Sequence, residues 1–203
     1  MGMEVEPGEA PIDERWGGMW LRTQRQQHFW ATRTGPVTAR IESISGDRDD
    51  RERQDDLVLF DPEPVDREED DEHTLFTYRE LEVLKPGTRR AFSIDAVHPG
   101  DEALGELVEA LEPLGFRLQR RSGDGYQLTP PGAEEPVPGV YLFASVPEES
   151  DLEDLHRRLT EATAAWPGAA VWIDLCQALV NELGLDFQDE LERQREVAEA
   201  HGM

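Results

Sequence analysis

The chain has 203 residues, enough for one large domain or two small ones, and it contains no run of about 18 apolar residues that could cross a membrane. Its 45 acidic and 20 basic side chains give a formal net charge of −25, so repulsion disfavours direct binding to a nucleic-acid backbone. A single cysteine excludes an internal disulfide, and the acidic N-terminus lacks the apolar core of a signal peptide, which together predict a cytoplasmic protein.

Residues 1–14 are acidic, contain two prolines and two glycines, and are predicted to form a disordered arm. Residues 15–40 have the opposite character, because every charged residue there is arginine and aromatic residues lie between them. The candidate binding residues of this stretch are Trp16, Trp20, Arg22, Arg25, Trp30 and Arg33.

Three interpretations of this arginine- and tryptophan-rich stretch are open. The tryptophans could enter the core while the arginines pair with nearby carboxylates. The stretch could form a protein-binding face, since Trp and Arg are the usual interface hot spots. Arginine interleaved with aromatic residues could also stack on nucleic-acid bases.

Residues 15–90 are predicted to be a smaller, β-rich segment. Strand patterns occur at 37–44, 57–60 and 75–84. Between residues 47 and 72 lie fourteen acidic residues and four arginines, with little to bury apart from the strand at 57–60. This composition predicts acidic surface loops over 47–72.

Residues 91–183 are predicted to form an α+β domain. A strand at 91–97 precedes a helix with leucines on one face, for which Asp101 is the candidate cap. Ser122-Gly123-Asp124-Gly125 predicts a hairpin turn between strands at 116–121 and 126–129. A buried strand follows at 140–146.

A second helix is predicted to begin with a capping box from Ser150 to Glu153. Residues 169–175 fit either a final strand or the start of a third helix, and a strand is preferred. The order predicts a ferredoxin-like sandwich of two helices on an antiparallel sheet. The remaining residues, 184–203, are predicted to be a charged helical tail, solvated or docked on a partner.

The sequence LGELVEALEPLGFRL, the hairpin after it, and a helix with Leu152, Leu155 and Leu159 resemble the regulator of ribonuclease E activity B family over about residues 90–175. The resemblance implies a small, acidic, ferredoxin-like domain that inhibits a nuclease by binding it. The chain departs from the family where that family ends in Tyr-Asp-Gly-Trp, because Ala170-Val171-Trp172 stands there instead.

No motif predicts a cofactor, a metal or a catalytic residue. The acidic run from Asp47 lacks the ligand spacing and the glycine of a calcium loop, and one cysteine with five scattered histidines never approaches zinc-ligand spacing. Nucleotide-binding loops and nucleophile elbows are absent from the sequence. Cys176 lies in an apolar stretch and is predicted to be a buried, inert thiol.

The sequence therefore favours a non-catalytic regulator that binds a protein partner by occlusion or charge mimicry, and the net charge favours a basic partner. Two alternatives are a small enzyme whose site is assembled from distant residues, and a stable subunit of a larger complex. The acidity itself could instead reflect a saline cytoplasm or a GC-rich coding bias. Residues 91–203 hold 23 acidic and seven basic side chains, against 22 and 13 in residues 1–90, so the second half is the more acidic.

Overall fold

In the computed structural model, which describes residues 15–46, 51–69 and 74–203, the chain divides into two units. The barrel unit takes the described residues of Met1–Ser45 and Arg53–Thr88, and the helical unit takes those of Gly46–Glu52 and Arg89–Met203. The predicted arm at 1–14 lies outside the described residues, as do positions 47–50 and 70–72 of the predicted acidic loop.

Five strands close into a barrel in the order β1-β2-β3-β4-β5. They are β1 (Gly18–Arg22), β2 (His28–Arg33), β3 (Thr38–Ile41), β4 (Leu57–Glu69) and β5 (Thr74–Lys85). Each sequential pair is antiparallel, and β5 closes the barrel by pairing in parallel with β1. Closure leaves the sheet without a free edge.

Successive residues of a strand point to opposite faces of the sheet, so every second side chain of a barrel strand points into the interior. The interior set consists of small and large apolar residues: Met19, Leu21, Phe29, Ala31, Ala39, Ile41, Val58 and Phe60. Burying each large member contributes about 1.5–3 kcal/mol relative to leaving it exposed.

The predicted strand at 57–60 is confirmed as the start of β4, but the prediction of acidic loops over 47–72 is wrong for residues 61–69, which continue that strand. Beyond Phe60 this strand has few apolar side chains, yet its backbone pairs with β5 as far as Glu69. The pairing shifts register on both sides of Pro64, as expected where a proline removes a donor from the ladder. Backbone hydrogen bonds to β5 therefore hold residues 61–69 in a strand. The pattern of apolar and polar side chains does not reveal such pairing.

The helical unit contains a second antiparallel sheet of order β10-β6-β9-β7, with β8 paired to β9. Its strands are β6 (Arg89–Val97), β7 (Arg117–Arg120), β8 (Gln127–Leu128), β9 (Val137–Pro147) and β10 (Ala170–Val171). Its helices are α1 (Asp101–Leu111), α2 (Leu152–Thr163), α3 (Ile173–Asn181) and α4 (Gln188–His201), with a 3₁₀ turn at Glu112–Leu114.

The predicted strands at 91–97 and 140–146 are confirmed as parts of β6 and β9. The predicted hairpin between 116–121 and 126–129 is wrong, because β7 and β8 do not pair with each other. Both pair with β9, β7 along its second half and β8 at its first residues. The turn itself exists, with Tyr126 N donating to Gly123 O. The turn motif in the sequence thus predicted where the chain bends. It did not predict which strand β7 and β8 pair with.

Two predicted helix caps are also corrected. Helix α1 begins after Gly100, at φ 102°, and no side chain caps it, so Asp101 is the first helical residue and not the cap. Helix α2 is capped by Asp151 and not by Ser150, because Oδ1 of Asp151 accepts hydrogen bonds from the amides of Glu153 and Asp154.

The predicted fold class, a ferredoxin-like sandwich with two helices, is wrong. The described residues form two separate sheets and four helices, and the predicted β-rich segment forms a closed five-stranded barrel. Only Ala170–Val171 of the predicted final strand pairs with β6, and helix α3 begins two residues later. The apolar residues of α3 recur at helical spacing, so one face of the helix packs Leu175 and Leu179 into the core.

Helix α4 belongs to the core and is not a solvated tail. Leu191 and Ala198 are buried, as is Gln194, whose Oε1 accepts a hydrogen bond from the amide of Trp172. The three buried positions are three and four residues apart and form one narrow stripe along the helix. The many charged residues of α4 obscure this stripe in the sequence.

Across the part of the chain that the structure describes, no helix has both the length and the apolar character needed to cross a membrane.

Candidate functional site

Two tryptophans lie side by side on the outside of the barrel. Trp20 of β1 is the register partner of Trp30 of β2, and both are half-buried. Their rings meet edge to face, with centroids 5.3 Å apart and planes at 72°. Their strand neighbours Leu21 and Phe29 point into the barrel, so alternation places both indoles on the outer face.

Gly18 makes room for this arrangement. A Cβ atom built at Gly18 would stand 2.0 Å from Cζ2 of Trp30, so the indole lies directly on the glycine backbone. A glycine two residues before Trp20 on β1 was the sequence signal for this packing, although it could not be interpreted without the strand register.

Two arginines extend the outer face beyond the tryptophans. Arg22 of β1 is the register partner of Arg79 in the parallel strand β5, and Arg79 is exposed. Tyr78 packs against the barrel core, which places its neighbour Arg79 on the outside with Arg22. We name this set, Trp20, Trp30, Arg22 and Arg79, the tryptophan face. Arg79 was missed by the sequence analysis, because only the parallel pairing of β1 with β5 brings it here.

The other predicted binding residues lie elsewhere in the barrel unit. Arg33 is part of the packing, with its guanidinium 5.7 Å from the ring centroid of Trp16 and 5.4 Å from that of Phe60. It also donates to the carbonyls of Gly35 and Pro36. Arg25 is exposed in the turn between β1 and β2. Of the six predicted residues, the fold therefore brings three, Trp20, Arg22 and Trp30, onto one face.

A cavity of about 520 Å³ lies in the helical unit between β6 and α3. Ser93 and Asp174 both line it, and the hydroxyl and the amide of Ser93 both donate to the Asp174 carboxylate. At its rim Arg90 forms an ion pair of 2.6 Å with Glu182. None of the described residues that line it is a histidine. The Ser-His-Asp arrangement of a hydrolase is therefore not present among the described residues that line this cavity.

A second group of chemically active side chains was missed by the sequence analysis. His156 of α2, Cys176 of α3 and Glu190 of α4 place their ligand atoms within 4.8 Å of one another. We name these residues the three-helix cluster. The positions are 20 and 14 residues apart in sequence, which no metal or catalytic motif matches. Only the packing of three helices reveals the group.

Aromatic rings and hydrogen bonds hold the three-helix cluster in place. The ring centroid of His156 lies 5.1 Å from that of Phe187 and 5.9 Å from that of Trp172, both edge to face. Arg193 donates to both carboxylate oxygens of Glu190, at 2.7 and 2.6 Å. Gln194 donates to the same carboxylate at 3.2 Å.

The electrostatics of the cluster follow from burial. Burial lowers the pKa of His156, although the nearby Glu190 opposes this effect. Burial raises the pKa of the Cys176 thiol to about 12, so the thiol is protonated at neutral pH. The prediction that this thiol is buried is confirmed. Hydrogen bonds from Arg193 are the main cause that lowers the pKa of Glu190.

No protein-family model and no curated protein matches the chain. Among solved structures it is similar to a hypothetical protein from Neisseria gonorrhoeae. The two share 14% sequence identity over 77% of this chain and 94% of that chain, with a TM-score of 0.33. That likeness is too weak to support a functional argument.

Proposed function

We propose that this protein is a non-catalytic regulator in the cytoplasm that binds a basic protein partner through the tryptophan face. The observation that supports this most is the pair of half-buried indoles, Trp20 and Trp30, on the outer side of a closed barrel. A barrel of this size fills its own interior, so these rings contribute nothing to that core. Large aromatic rings left at a surface beside arginine are the usual centre of a protein interface.

Charge supports a partner that is basic overall. The chain carries −25, which attracts a positively charged protein over a distance and repels nucleic acids. At close range the tryptophan face offers two flat rings for apolar or cationic side chains of the partner. The guanidinium groups of Arg22 and Arg79 offer donors to its carbonyl groups.

The mechanism would be occlusion, in which the bound regulator covers a working surface of its partner. The resemblance of residues 90–175 to a family that inhibits a nuclease by binding suggests a ribonuclease as the first partner to test. The tryptophan face lies outside that stretch, so the two suggestions can be tested separately.

The test compares the full chain with a Trp20→Ala, Trp30→Ala double variant in affinity capture from a native lysate. Proteins retained by the wild type and lost from the double variant are then purified and their Kd values measured. We expect Kd to rise about 30-fold or more, equivalent to about 2 kcal/mol, because hot-spot side chains carry most of the binding energy of an interface.

Leu183→Ala is the matched control, because Leu183 is an exposed apolar side chain, 51% accessible, in the helical unit. It should leave binding unchanged, and thermal unfolding should show that each variant remains folded. Equal retention of every partner by the double variant would contradict the proposal. So would tight binding of a single-stranded RNA oligonucleotide that the double variant loses, since that result would assign the face to nucleic acid.

A further inference from the structure

We propose that the three-helix cluster is a binding site for a thiophilic divalent cation such as Zn²⁺, with His156 Nε2, Cys176 Sγ and a Glu190 carboxylate oxygen as ligands. This inference does not depend on the proposed function. The chemistry of the donors supports it first, because imidazole nitrogen, thiolate sulfur and carboxylate oxygen are the three protein ligands that zinc takes.

The environment of the His156 ring is the second support for a metal site. Its side chain is only 12% exposed, and its Nε2 has no hydrogen-bond partner among the described residues. Oε1 of Glu190 lies 3.4 Å from this nitrogen, which makes an ion pair only when His156 is protonated. Buried polar atoms nearly always have a hydrogen bond, so a buried ring nitrogen that lacks one and lies beside a thiol and a carboxylate indicates a ligand for it.

The spacing of the three atoms is close to what a metal needs. With bonds of about 2.0–2.3 Å, the ligands of a tetrahedral zinc ion stand about 3.3–3.8 Å apart. The observed separations, within 4.8 Å, shrink to that range with a shift of about 1 Å shared among three side chains. Binding would then join α2, α3 and α4, which are distant in sequence, at one point.

Surrounding residues already orient the ligands as they do around known metal sites. Gln194 connects the Glu190 carboxylate to the Trp172 amide through its two amide atoms. Arg193 fixes the carboxylate plane, and the carboxylate oxygens retain lone pairs for a metal. The positive charge of Arg193 weakens the attraction for a cation, so thiolate and imidazole must supply most of the affinity.

Titration of the chelator-stripped full chain with Co²⁺ tests the site, because cobalt bound to a thiolate gives a charge-transfer absorption in the near ultraviolet. Cys176 is the sole cysteine, so that band reports this residue alone. Excess Mg²⁺ throughout saturates the many surface carboxylates, which hold hard cations. We expect the band to saturate at one Co²⁺ per chain and to vanish when Zn²⁺ displaces the cobalt.

Two variants identify the ligands. Cys176→Ser should abolish the band, and His156→Gln should weaken Co²⁺ binding by about 100-fold or more, beyond the 10–100-fold typical of residues that only orient a ligand. His28→Gln, which changes an exposed histidine of the barrel unit, is the control and should bind as the wild type does. Zinc should also raise the Tm of the wild type and of His28→Gln only.

A folded wild-type chain without the band at stoichiometric Co²⁺ would overturn the proposal. A band of equal affinity in His156→Gln would also overturn it, because the thiol would then bind metal without the cluster. If Cys176→Ser does not fold, the affinity of His156→Gln decides, since that variant retains the thiol.

Discussion

Asp95 and Tyr126 form the one described acid–phenol pair in which both groups have clearly raised pKa values. The hydroxyl of Tyr126 donates to the Asp95 carboxylate, at 3.0 Å to Oδ2 and 3.2 Å to Oδ1. Burial raises the pKa of Asp95 above 3.8 even though this hydrogen bond opposes it. Burial and the adjacent carboxylate raise the pKa of Tyr126 to about 12.

Asp95→Asn is therefore expected to stabilise the protein at neutral pH, by less than about 1 kcal/mol. The native state disfavours the Asp95 charge, so the wild type is penalised at every pH above the folded pKa of this group. As pH falls through that pKa towards 3.8, the penalty and the advantage of the variant should both disappear. Urea unfolding of both proteins across this pH range measures the difference.

Two controls separate burial from a general loss of negative charge. Glu106→Gln removes one charge from an exposed position on α1 and should show no comparable pH-dependent gain. Tyr126→Phe should destabilise by about 1 kcal/mol, because it removes the side-chain donor of the half-buried carboxylate and leaves the backbone amide of Ala96. A variant Asp95→Asn that is less stable than the wild type at neutral pH would show that the hydrogen bond outweighs the burial.

At the scale of elements, most strands and helices could be predicted from the sequence, but their partners could not. Periodicity located β5, β6, α1 and α2 because each has an apolar face of its own. It failed for β4 beyond Phe60, where backbone pairing with β5 and not side-chain burial determines the strand. It also failed for the partners of β7 and β8, because a turn motif constrains a bend and not the strand on either side.

For the candidate sites too, local features could be predicted from the sequence and long-range contacts could not. Trp20, Arg22 and Trp30 could be selected from composition, because Trp and Arg cluster locally in the sequence. Arg79 and the three-helix cluster could not, since β5 is joined to β1 by a parallel pairing and since His156, Cys176 and Glu190 lie on separate helices. Long-range packing determines both, and no local pattern encodes it.

The start of α2 allows an element-scale prediction. Asp151→Ala should cost about 1 kcal/mol, because Oδ1 of Asp151 satisfies the amides of Glu153 and Asp154, which would otherwise lack intrahelical partners. Chemical denaturation measures this loss. Ser150→Ala should be close to neutral, because the cap is one residue later than the sequence predicts. The opposite ranking of the two variants would restore Ser150 as the cap.

At the scale of the whole molecule, the net charge of −25 predicts how the proposed complex should respond to salt. The association rate with a basic partner should fall steeply as ionic strength rises through the physiological range, where the screening length is about 8–10 Å. Stopped-flow mixing with the purified partner measures this dependence.

The Trp20→Ala, Trp30→Ala double variant has the same charge as the wild type. It should therefore keep the same salt dependence of association and should differ in its dissociation rate. An association rate that does not change with salt would remove the role proposed for the acidity.

The parallel pairing of β1 with β5 has a consequence for synthesis on the ribosome. The chain emerges from its N-terminus at roughly 5–20 residues per second, so β1 and β2 leave the tunnel well before β5. Until β5 arrives, β1 has an unsatisfied backbone edge, next to the two indoles of the tryptophan face. At that rate the nascent barrel has, for roughly several seconds, an unpaired strand edge beside the tryptophan face, and such an edge is able to pair with other chains.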